Sequence, residues 1–452
     1  MSGAGAARER WIGEEIRSLE DINARISAPI LAPRHTWRWW VALAFSGGMA
    51  LMMLSVVVWL FAHGIGIFGN NTTIVWGFPI ANYVWWLGIG HAGTLISALL
   101  LLTRQKWRGS LNRFAEAMTL FAVAMAGLMP IFHLGRPYYV YWILPYPNVQ
   151  GVWPQWRSAL VWDFWAVGTY LTFSILFWYA GLIPDLAMLR ERAKSRVVRR
   201  LYGAFALGWR GSSRHWEIHD RFYRYMAALA VPLVVSVHSI VSLDFAASLE
   251  PGWSDTIYPP YFVVGALYSG FAMVAVLAAA VRWGCSFEAF VTPRHFEMIG
   301  RVLLMASLIM GMSYATEWFW SWYGGERTER HLVAFLFTGP YAPLYYAQLL
   351  FNVFVPQALW FVRVRRSIAA VVLISIVINI GMWLERILIV WATLSRDYLP
   401  SAWRLFLPTV WDWLLLSGSL GAFMFLFLIF VRVLPALPAH ELRKLWIEEN
   451  AA

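Results

Sequence analysis

The chain has 452 residues, of which 60% are hydrophobic and 13% are charged. Soluble proteins are roughly half apolar and about a quarter charged, so this composition excludes an ordinary water-soluble fold. The net charge of +11 does not indicate nucleic acid, because the basic residues lie between apolar runs instead of forming one patch. The single cysteine, Cys285, excludes disulfide frameworks, cysteine-rich zinc sites and a self-contained iron–sulfur centre, since each needs several thiols.

Apolar runs long enough to cross about 30 Å of hydrocarbon occur ten times along the chain. We therefore predict an all-α integral membrane protein with ten transmembrane helices in a membrane domain at 37–432. A cytoplasmic segment at 1–36 precedes this domain, and a cytoplasmic tail at 433–452 follows it. The first 35 residues lack a short apolar core with a small-residue cleavage site, so we expect no signal peptide. The predicted spans are 39–62, 74–102, 114–133, 159–181, 225–248, 258–281, 299–320, 341–362, 368–394 and 410–431.

Lysine and arginine test this topology independently, because they accumulate in cytoplasmic loops. The N-terminal segment, the even-numbered loops and the tail contain 29 of the 36 basic residues when Arg301, at the start of the seventh span, is counted with the loop before it, whereas the odd-numbered loops contain 6. This alternation predicts that both termini are cytoplasmic. The remaining basic residue, Arg386, lies inside the ninth span.

Two connections differ from the others in composition. The inner connection 182–224 is basic, which favours a solvated, topology-setting loop over an amphipathic segment on the lipid surface. The outer loop 134–158 is rich in Pro, Tyr and Trp. Such a loop is typical either of an aromatic belt at the membrane interface or of contact with a partner protein.

A short motif occurs at the start of two spans. Arg113 and Glu116 open the third span, and Arg294 and Glu297 lead into the seventh. Two related four-helix bundles, formed by helices 2–5 and 6–9 with helices 1 and 10 flanking them, would explain this similarity. Chance resemblance between apolar helices is the alternative.

Ionisable residues inside the spans concentrate near the outer side. Each is costly in hydrocarbon and therefore needs a partner, a cavity or a function. A cavity with such groups suits a ligand with an apolar tail and two polar oxygens, and a quinol is such a ligand. Structural alternatives are capping or backbone bonding for the histidine and ion pairing for the acids and the arginine. The residues are His133, Asp163, Asp244, Glu317, Glu385, Arg386 and Asp412.

The second span carries small and polar residues on one face. Gly90, Gly93, Thr94 and Ser97 follow helical spacing, which favours close helix packing. His91 beside them is interpreted either as a hydrogen-bonded core residue or as part of a proton route. The intramembrane histidines, His91, His133 and His238, are expected at three different depths, so they do not form the pairs that two b-type haems would need. The candidate proton path contains Glu317, Glu385, His91, Ser97 and Glu116.

Several long motifs resemble one family of membrane subunits, over about residues 37 to 440. The motifs are WWLGIGHAGTLISALL (85–100), HLGRP (133–137), WPQWRSALVWDFWAV (153–167), LIPDLA (182–187), TPRHFE (292–297), YATEWFWSWY (314–323) and GMWLERILIV (381–390). They are similar to NrfD/PsrC membrane subunits and, more narrowly, to the ActC quinol-binding subunits of alternative complex III.

This resemblance implies the ten-helix, two-bundle fold and a menaquinol or related quinol site near the periplasmic face. By motif, it assigns the catalytic and quinol-binding roles to His133, Asp163 and Asp244, with Arg386 as a further quinol-binding residue. The implied partners are a periplasmic iron–sulfur subunit, c-type haem subunits, a paralogous NrfD-like membrane subunit and membrane lipids. Neither a haem nor an iron–sulfur cluster is expected in this chain.

The leading hypothesis is therefore a subunit of a quinol:electron-acceptor oxidoreductase in a bacterial cytoplasmic membrane, inactive alone. One alternative is a quinone-reducing membrane anchor of a molybdenum-type reductase. Another is a paralogous ActF-like subunit with a structural or proton-conducting role. A secondary transporter is disfavoured, because the polar residues lie away from the midplane.

Overall fold

The computed structural model describes residues 10–33, 36–144 and 155–451. Within these ranges the chain forms helices and no β-strand. Nine of the described helices are long and apolar enough to cross a membrane, which confirms an all-α, multi-pass membrane protein. The α-helices are α1 (Leu19–Leu31), α2 (Thr36–His63), α3 (Phe78–Leu102), α4 (Asn112–His133), α5 (Ala159–Arg192), α6 (Arg196–Phe205), α7 (Ser213–Ala246), α8 (Tyr258–Gly284), α9 (Pro293–Tyr323), α10 (Arg327–Thr338), α11 (Ala342–Leu349), α12 (Val362–Arg366), α13 (Ile368–Leu394), α14 (Val410–Val433) and α15 (Ala439–Ala451).

The segment predicted as the eighth span, 341–362, is not one regular α-helix. It runs from α11 through a π-helical turn at Leu350–Phe354 into a 3₁₀ turn at Val355–Trp360. Pro356 accounts for the irregular end, because proline has no N–H to donate within a helix and its ring clashes with the preceding turn. The predicted boundaries are close to those observed, but this segment is not one of the nine long helices, so the count of ten spans remains a prediction.

Helix α3 lies at the centre of the molecule, packed against α4, α7, α8 and α13. Its glycines allow a close approach to α4: a methyl group on Gly93 would lie 2.0 Å from the carbonyl oxygen of Ala115. A methyl group on Gly90 would lie 2.6 Å from the Val123 side chain. The structure confirms the prediction that these small residues serve close helix packing.

The other long helices surround α3. Helices α4 and α7 pack against it on one side, where α5 packs against both of them, and α8 packs with α9 and α13 on the other side. Helices α2 and α14 pair at the periphery, where a methyl group on Gly418 would lie 2.3 Å from the backbone of Met53. Few residues of α2 are buried within the chain, so most of its apolar surface faces outward.

Loop contacts divide the molecule into two polar ends. At the outer end, Gly69 donates its backbone N–H to Asp412 at 2.9 Å, and Gly252 donates to Glu329 at 2.8 Å. At the inner end the two termini meet, because the backbone N–H of Trp11 donates to Glu449 of α15 at 2.8 Å. We call the end that holds the odd-numbered loops of the prediction the outer end, and the end where Trp11 and α15 meet the inner end.

The repeated Arg and Glu motif makes different contacts in its two copies. Arg113 lies 3.5 Å from Glu116 in α4. In α9, Glu297 instead pairs with Arg301 at 2.7 Å and with Arg366 at 3.0 Å. The motif does not mark one shared contact, and the internal repeat remains a prediction.

Candidate functional site

A pair of carboxyl groups lies at the outer end of the helix bundle. Asp163 is in the second turn of α5 and Asp244 is in the last turn of α7. These helices run antiparallel and pack together, so the two side chains reach the same level and lie close enough for their carboxyl groups to interact. Two ionised carboxylates offer only acceptors, so a direct hydrogen bond between these two side chains requires a proton on one of them.

Helix α3 supplies a third member of this group. The hydroxyl of Tyr83 donates a hydrogen bond to Oδ2 of Asp163, whose side chain is only 6% exposed. Oδ1 of Asp163 and Oδ1 of Asp244 are buried and receive no hydrogen bond from a donor elsewhere in the described chain. Buried polar atoms are normally hydrogen-bonded, so the partner of each oxygen is the other carboxyl group or a ligand that donates.

A cavity of about 450 Å³ opens beside the carboxyl pair. Asp244 lines it together with two further charged residues, Arg157 and Glu250. Burial, together with the nearby negative charge of Asp397, raises the pKa of Glu250. The cavity therefore combines an apolar wall with proton-accepting groups, as a site for a small amphipathic molecule requires. The apolar wall consists of Val75, Trp76, Leu160, Trp162, Leu243 and Trp253.

The predicted site residue His133 lies apart from this cavity. It is the last residue of α4, it is half-buried, and its Nδ1 has no hydrogen-bond partner among the described residues. It does not line the cavity, and no hydrogen bond in the described ranges joins it to Asp163 or Asp244. Part of the outer loop that follows, residues 145–154, lies outside the described residues, including the centre of the predicted partner contact. The described parts of the loop expose Tyr138, Trp142 and Trp156.

Arg386 and Glu385 form a second polar cluster in α13. Arg386 Nη1 lies 3.2 Å from Glu385 Oε1, so these sequence neighbours pair with each other. The alternative considered for Arg386, an ion pair with an acid on another helix, is not found in the described ranges. Its guanidinium instead lies 4.1 Å from the ring centre of Phe262 in α8, a favourable cation–π arrangement.

The irregular eighth segment contributes to this second cluster. Tyr314 of α9 donates its hydroxyl hydrogen to Glu385. Asn352, in the π-helical turn, donates to the same carboxylate oxygen at 3.3 Å and to the Tyr314 hydroxyl at 3.0 Å. π-Helical turns are rare and are frequent at functional sites. Glu317 lies further along α9 and is partly buried. The charges of Asp255 and Glu385 act on its carboxyl group.

Below the carboxyl pair, buried polar groups continue along α3. Nδ1 of His91 and Nδ1 of His238 lie 2.6 Å apart and share a hydrogen bond. The expectation that these histidines lie at different depths was wrong, because α3 and α7 bring them to one level. The separation leaves no room for an iron ion between the two nitrogens, since each metal–nitrogen bond alone takes about 2 Å.

Further toward the inner end, Ser97 donates to Oε1 of Glu116 at 2.5 Å. The Tyr223 hydroxyl donates to the same oxygen at 2.7 Å. Arg113 lies 3.5 Å from Glu116 and 3.0 Å from Asp185 in α5, which compensates the buried charges. The structure therefore joins Ser97 to Glu116 within the predicted path, whereas His91 bonds to His238, which was not predicted as a member of that path.

Neutral polar residues are the members of the site that sequence reasoning missed. Tyr83, Tyr314 and Asn352 all contact the predicted acids. The predicted site contained mainly ionisable residues. Tyrosine and asparagine also need hydrogen-bond partners when they are buried. A search for every buried hydrogen-bonding group would have included them, although their partners depend on the fold.

Comparison with known proteins assigns this architecture to a family. The sequence pattern described as "Polysulphide reductase, NrfD" matches residues 66–396, more than two thirds of the chain. The chain belongs to the NrfD family. The match covers α3 to α13, and therefore both polar clusters and the residues between them.

Three relatives carry names that describe parts of reductases or the family itself. A candidate membrane subunit of a dimethyl sulfoxide reductase, from Halobacterium salinarum, is 26% identical over 56% of this chain and 54% of its own length. A subunit of the selenate reductase of Mesobacillus selenatarsenatis is 22% identical over 67% of this chain and 66% of its own length. Protein NrfD of Escherichia coli is 24% identical over 56% of this chain and 79% of its own length. The chain thus spans about half the length of the first relative and about two thirds of the second.

The described residues of this NrfD-family chain contain no group of three or more His, Cys, Asp or Glu side chains arranged to hold a metal ion. The single cysteine is half-buried after α8, and burial raises the pKa of its thiol to about 12. A thiol with a raised pKa is a poor metal ligand and nucleophile near neutral pH.

Proposed function

We propose that this chain is the quinol-binding membrane subunit of a quinol:electron-acceptor oxidoreductase of the alternative complex III type. It binds menaquinol or a related quinol at the outer end, which we assign to the periplasmic side of a bacterial cytoplasmic membrane. Electrons pass to an iron–sulfur subunit docked there. The other members of the complex are c-type haem subunits and a paralogous NrfD-like membrane subunit. The chain works only within this assembly.

The observation that carries the proposal is the apolar cavity lined by a carboxyl group of the Asp163 and Asp244 pair. Oxidation of a quinol to a quinone releases two protons and two electrons. Asp244 faces the cavity and accepts one proton from a quinol hydroxyl, and Asp163 with Tyr83 relays or stabilises it. Glu250, which also lines the cavity, accepts the proton of the second hydroxyl. The electrons leave to the partner. His133 and Arg386 remain proposed members of the site.

Proton transfer away from the carboxyl pair has two candidate directions. One leads through Glu317 and Glu385 to the outer surface. The other follows α3 past His91 and Ser97 to Glu116. Along α3, Tyr83 and His91 are eight residues apart, about 12 Å at 1.5 Å per residue, so this direction needs water between them.

A topology of ten crossings with cytoplasmic termini accompanies this proposal. The contact between Trp11 and Glu449 supports it, because termini on the same side require an even number of crossings. Among the described residues, we count nine long helices and the composite segment 342–360 as these ten crossings. We assign helices α3, α4, α5 and α7 to one four-helix bundle. The second bundle then contains α8, α9, α13 and the composite segment.

Filling the cavity tests the proposal. Ala159 lines the cavity at the first position of α5, so Ala159→Trp in the assembled complex should abolish quinol-dependent reduction of the acceptor and binding of a quinol analogue. Ala204→Trp, an exposed alanine of α6 at the inner end, is the matched control and should retain both. Normal quinol oxidation by the Ala159→Trp complex would show that the quinol binds elsewhere.

A second candidate keeps the fold and reverses the electron flow, as a quinone-reducing anchor of a molybdenum-type reductase. The names of two relatives, one from a dimethyl sulfoxide reductase and one from a selenate reductase, favour it. Purification of the intact complex distinguishes the two, because a molybdenum-containing subunit would co-purify only in this second case and c-type haem only in the first.

A further inference from the structure

Helix α6, in the basic inner connection, carries an uncovered apolar stripe. Its sequence RVVRRLYGAF places Val197, Leu201 and Phe205 four residues apart, so these three side chains share one side of the helix. They are exposed by 66%, 55% and 58% respectively. Contiguous exposed apolar side chains mark a surface that another apolar medium covers. The quinol site proposed above uses none of these residues.

Arginines lie beside the apolar stripe of α6. Arg196 and Arg200 are both exposed, and each precedes a residue of the stripe by one position, about 100° around the helix. The third arginine of the helix, Arg199, is engaged with the chain itself, because it donates to the carbonyl oxygen of Ala193 at 3.0 Å. An apolar stripe flanked by basic side chains is typical of a helix at the boundary of a bilayer.

Two tyrosine hydroxyls fix the level of α6 relative to the spanning helices. Tyr179, near the inner end of the predicted span in α5, donates to the carbonyl oxygen of Phe205 at 2.7 Å. Tyr202 of α6 donates to the carbonyl oxygen of Val433, the last residue of α14, at 2.8 Å. Ala206, directly after α6, is buried in an apolar cluster with residues of α5. The C-terminal half of α6 therefore lies at the level where the predicted spans of α5 and α14 end.

This level determines which medium covers the stripe. Moving Val, Leu and Phe side chains out of water is favourable in proportion to their apolar area, so immersion of the stripe is favoured over solvation. At the inner end of the spans the apolar medium is the acyl region of the bilayer, and headgroup phosphates lie just beyond it. Long basic side chains reach such phosphates while their aliphatic stems stay against apolar surface, and arginine binds phosphate through its planar array of N–H donors.

We propose that α6 is an interfacial helix whose apolar stripe enters the inner leaflet of the membrane. Arg196 and Arg200 contact the phosphate groups of phospholipid headgroups. Residues 196–205 are then bound to the lipid surface, in place of the solvated loop that their basic composition favours. Because α6 connects α5 to α7, its contact with lipid holds the inner ends of these two helices at the membrane surface.

Spin labels on single cysteines test this placement in the assembled complex, reconstituted in nanodiscs of phosphatidylcholine and phosphatidylglycerol. The native thiol is first removed by Cys285→Ala. Collisions with oxygen, which concentrates in the bilayer, and with a nickel chelate, which stays in water, report the depth of each label. Labels at Leu201→Cys and Phe205→Cys should lie about 5–10 Å inside the headgroup–acyl boundary. A label at Arg200→Cys should lie at the level of the phosphates.

Two matched positions calibrate the depth scale. Lys194→Cys, in the exposed turn before α6, is the water control, and Leu176→Cys, 55% exposed within the span of α5, is the lipid control. Frequent nickel collisions at both stripe positions, as at Lys194, would show that α6 is solvated and would overturn the proposal. Few collisions with either reagent would show that a partner protein covers the stripe, which would refute the lipid contact. Neither result depends on quinol oxidation.

Discussion

Replacing Asp163 with asparagine tests the central chemical step without changing the shape of the site. The amide is close in size to the carboxyl group, can still accept the Tyr83 hydrogen bond and can donate to Asp244. What it cannot do is take up a proton. The pair then loses its shared proton while its hydrogen bonds remain.

The expected loss of turnover follows from that role. A positioned proton acceptor contributes about 10²–10⁴-fold to a rate, so quinol oxidation by the Asp163→Asn complex should fall by at least about a hundred-fold. The free energy of unfolding of the Asp163→Asn variant should change by no more than about 1 kcal/mol, because the side chain can still form its hydrogen bonds. Asp244→Asn should have a similar effect, and the double variant should be little worse than either single one, since the two act as a unit.

Steady-state oxidation of a soluble menaquinol analogue by the assembled complex measures these effects, with thermal unfolding measured in parallel. Asp412→Asn is the control: Asp412 is also buried at the outer end, but it accepts hydrogen bonds from Gly69 at 2.9 Å and Thr409 at 2.7 Å. The Asp412→Asn variant should lose about 1 kcal/mol of unfolding free energy, because the helix cap is weakened. Its turnover should not change. Turnover within three-fold of wild type in both Asp163→Asn and Asp244→Asn would refute the proton-acceptor role.

Two further variants test packing and pH dependence. Gly93→Ala places a methyl group 2.0 Å from the Ala115 carbonyl oxygen and should lower the free energy of unfolding by about 1–3 kcal/mol. Gly127→Ala is the control, because its methyl group would have no atom within 4 Å, and it should leave the free energy of unfolding unchanged. Because a raised pKa keeps Glu250 protonated to a higher pH, quinol oxidation should decline as pH falls through that pKa. Asp397→Asn removes one cause of the shift and should move this acid limb to lower pH; an unmoved pH–rate profile would exclude Glu250 as a proton acceptor.

Sequence alone determined the features that depend on depth in the membrane. Hydropathy predicted the spans, and the spacing of Gly90 and Gly93 predicted close helix packing, which the structure shows against α4. Counting residues from the span ends also placed Asp163 and Asp244 at one level. Each of these properties follows from local composition, because the bilayer fixes length and polarity along one axis.

Tertiary structure decided which residues at a given depth meet. It paired His91 with His238 and Glu385 with Arg386, and it added Tyr83 to Asp163. These contacts depend on how each helix is rotated and which helix lies beside it. Packing across the whole bundle sets that rotation, so no single span contains the information.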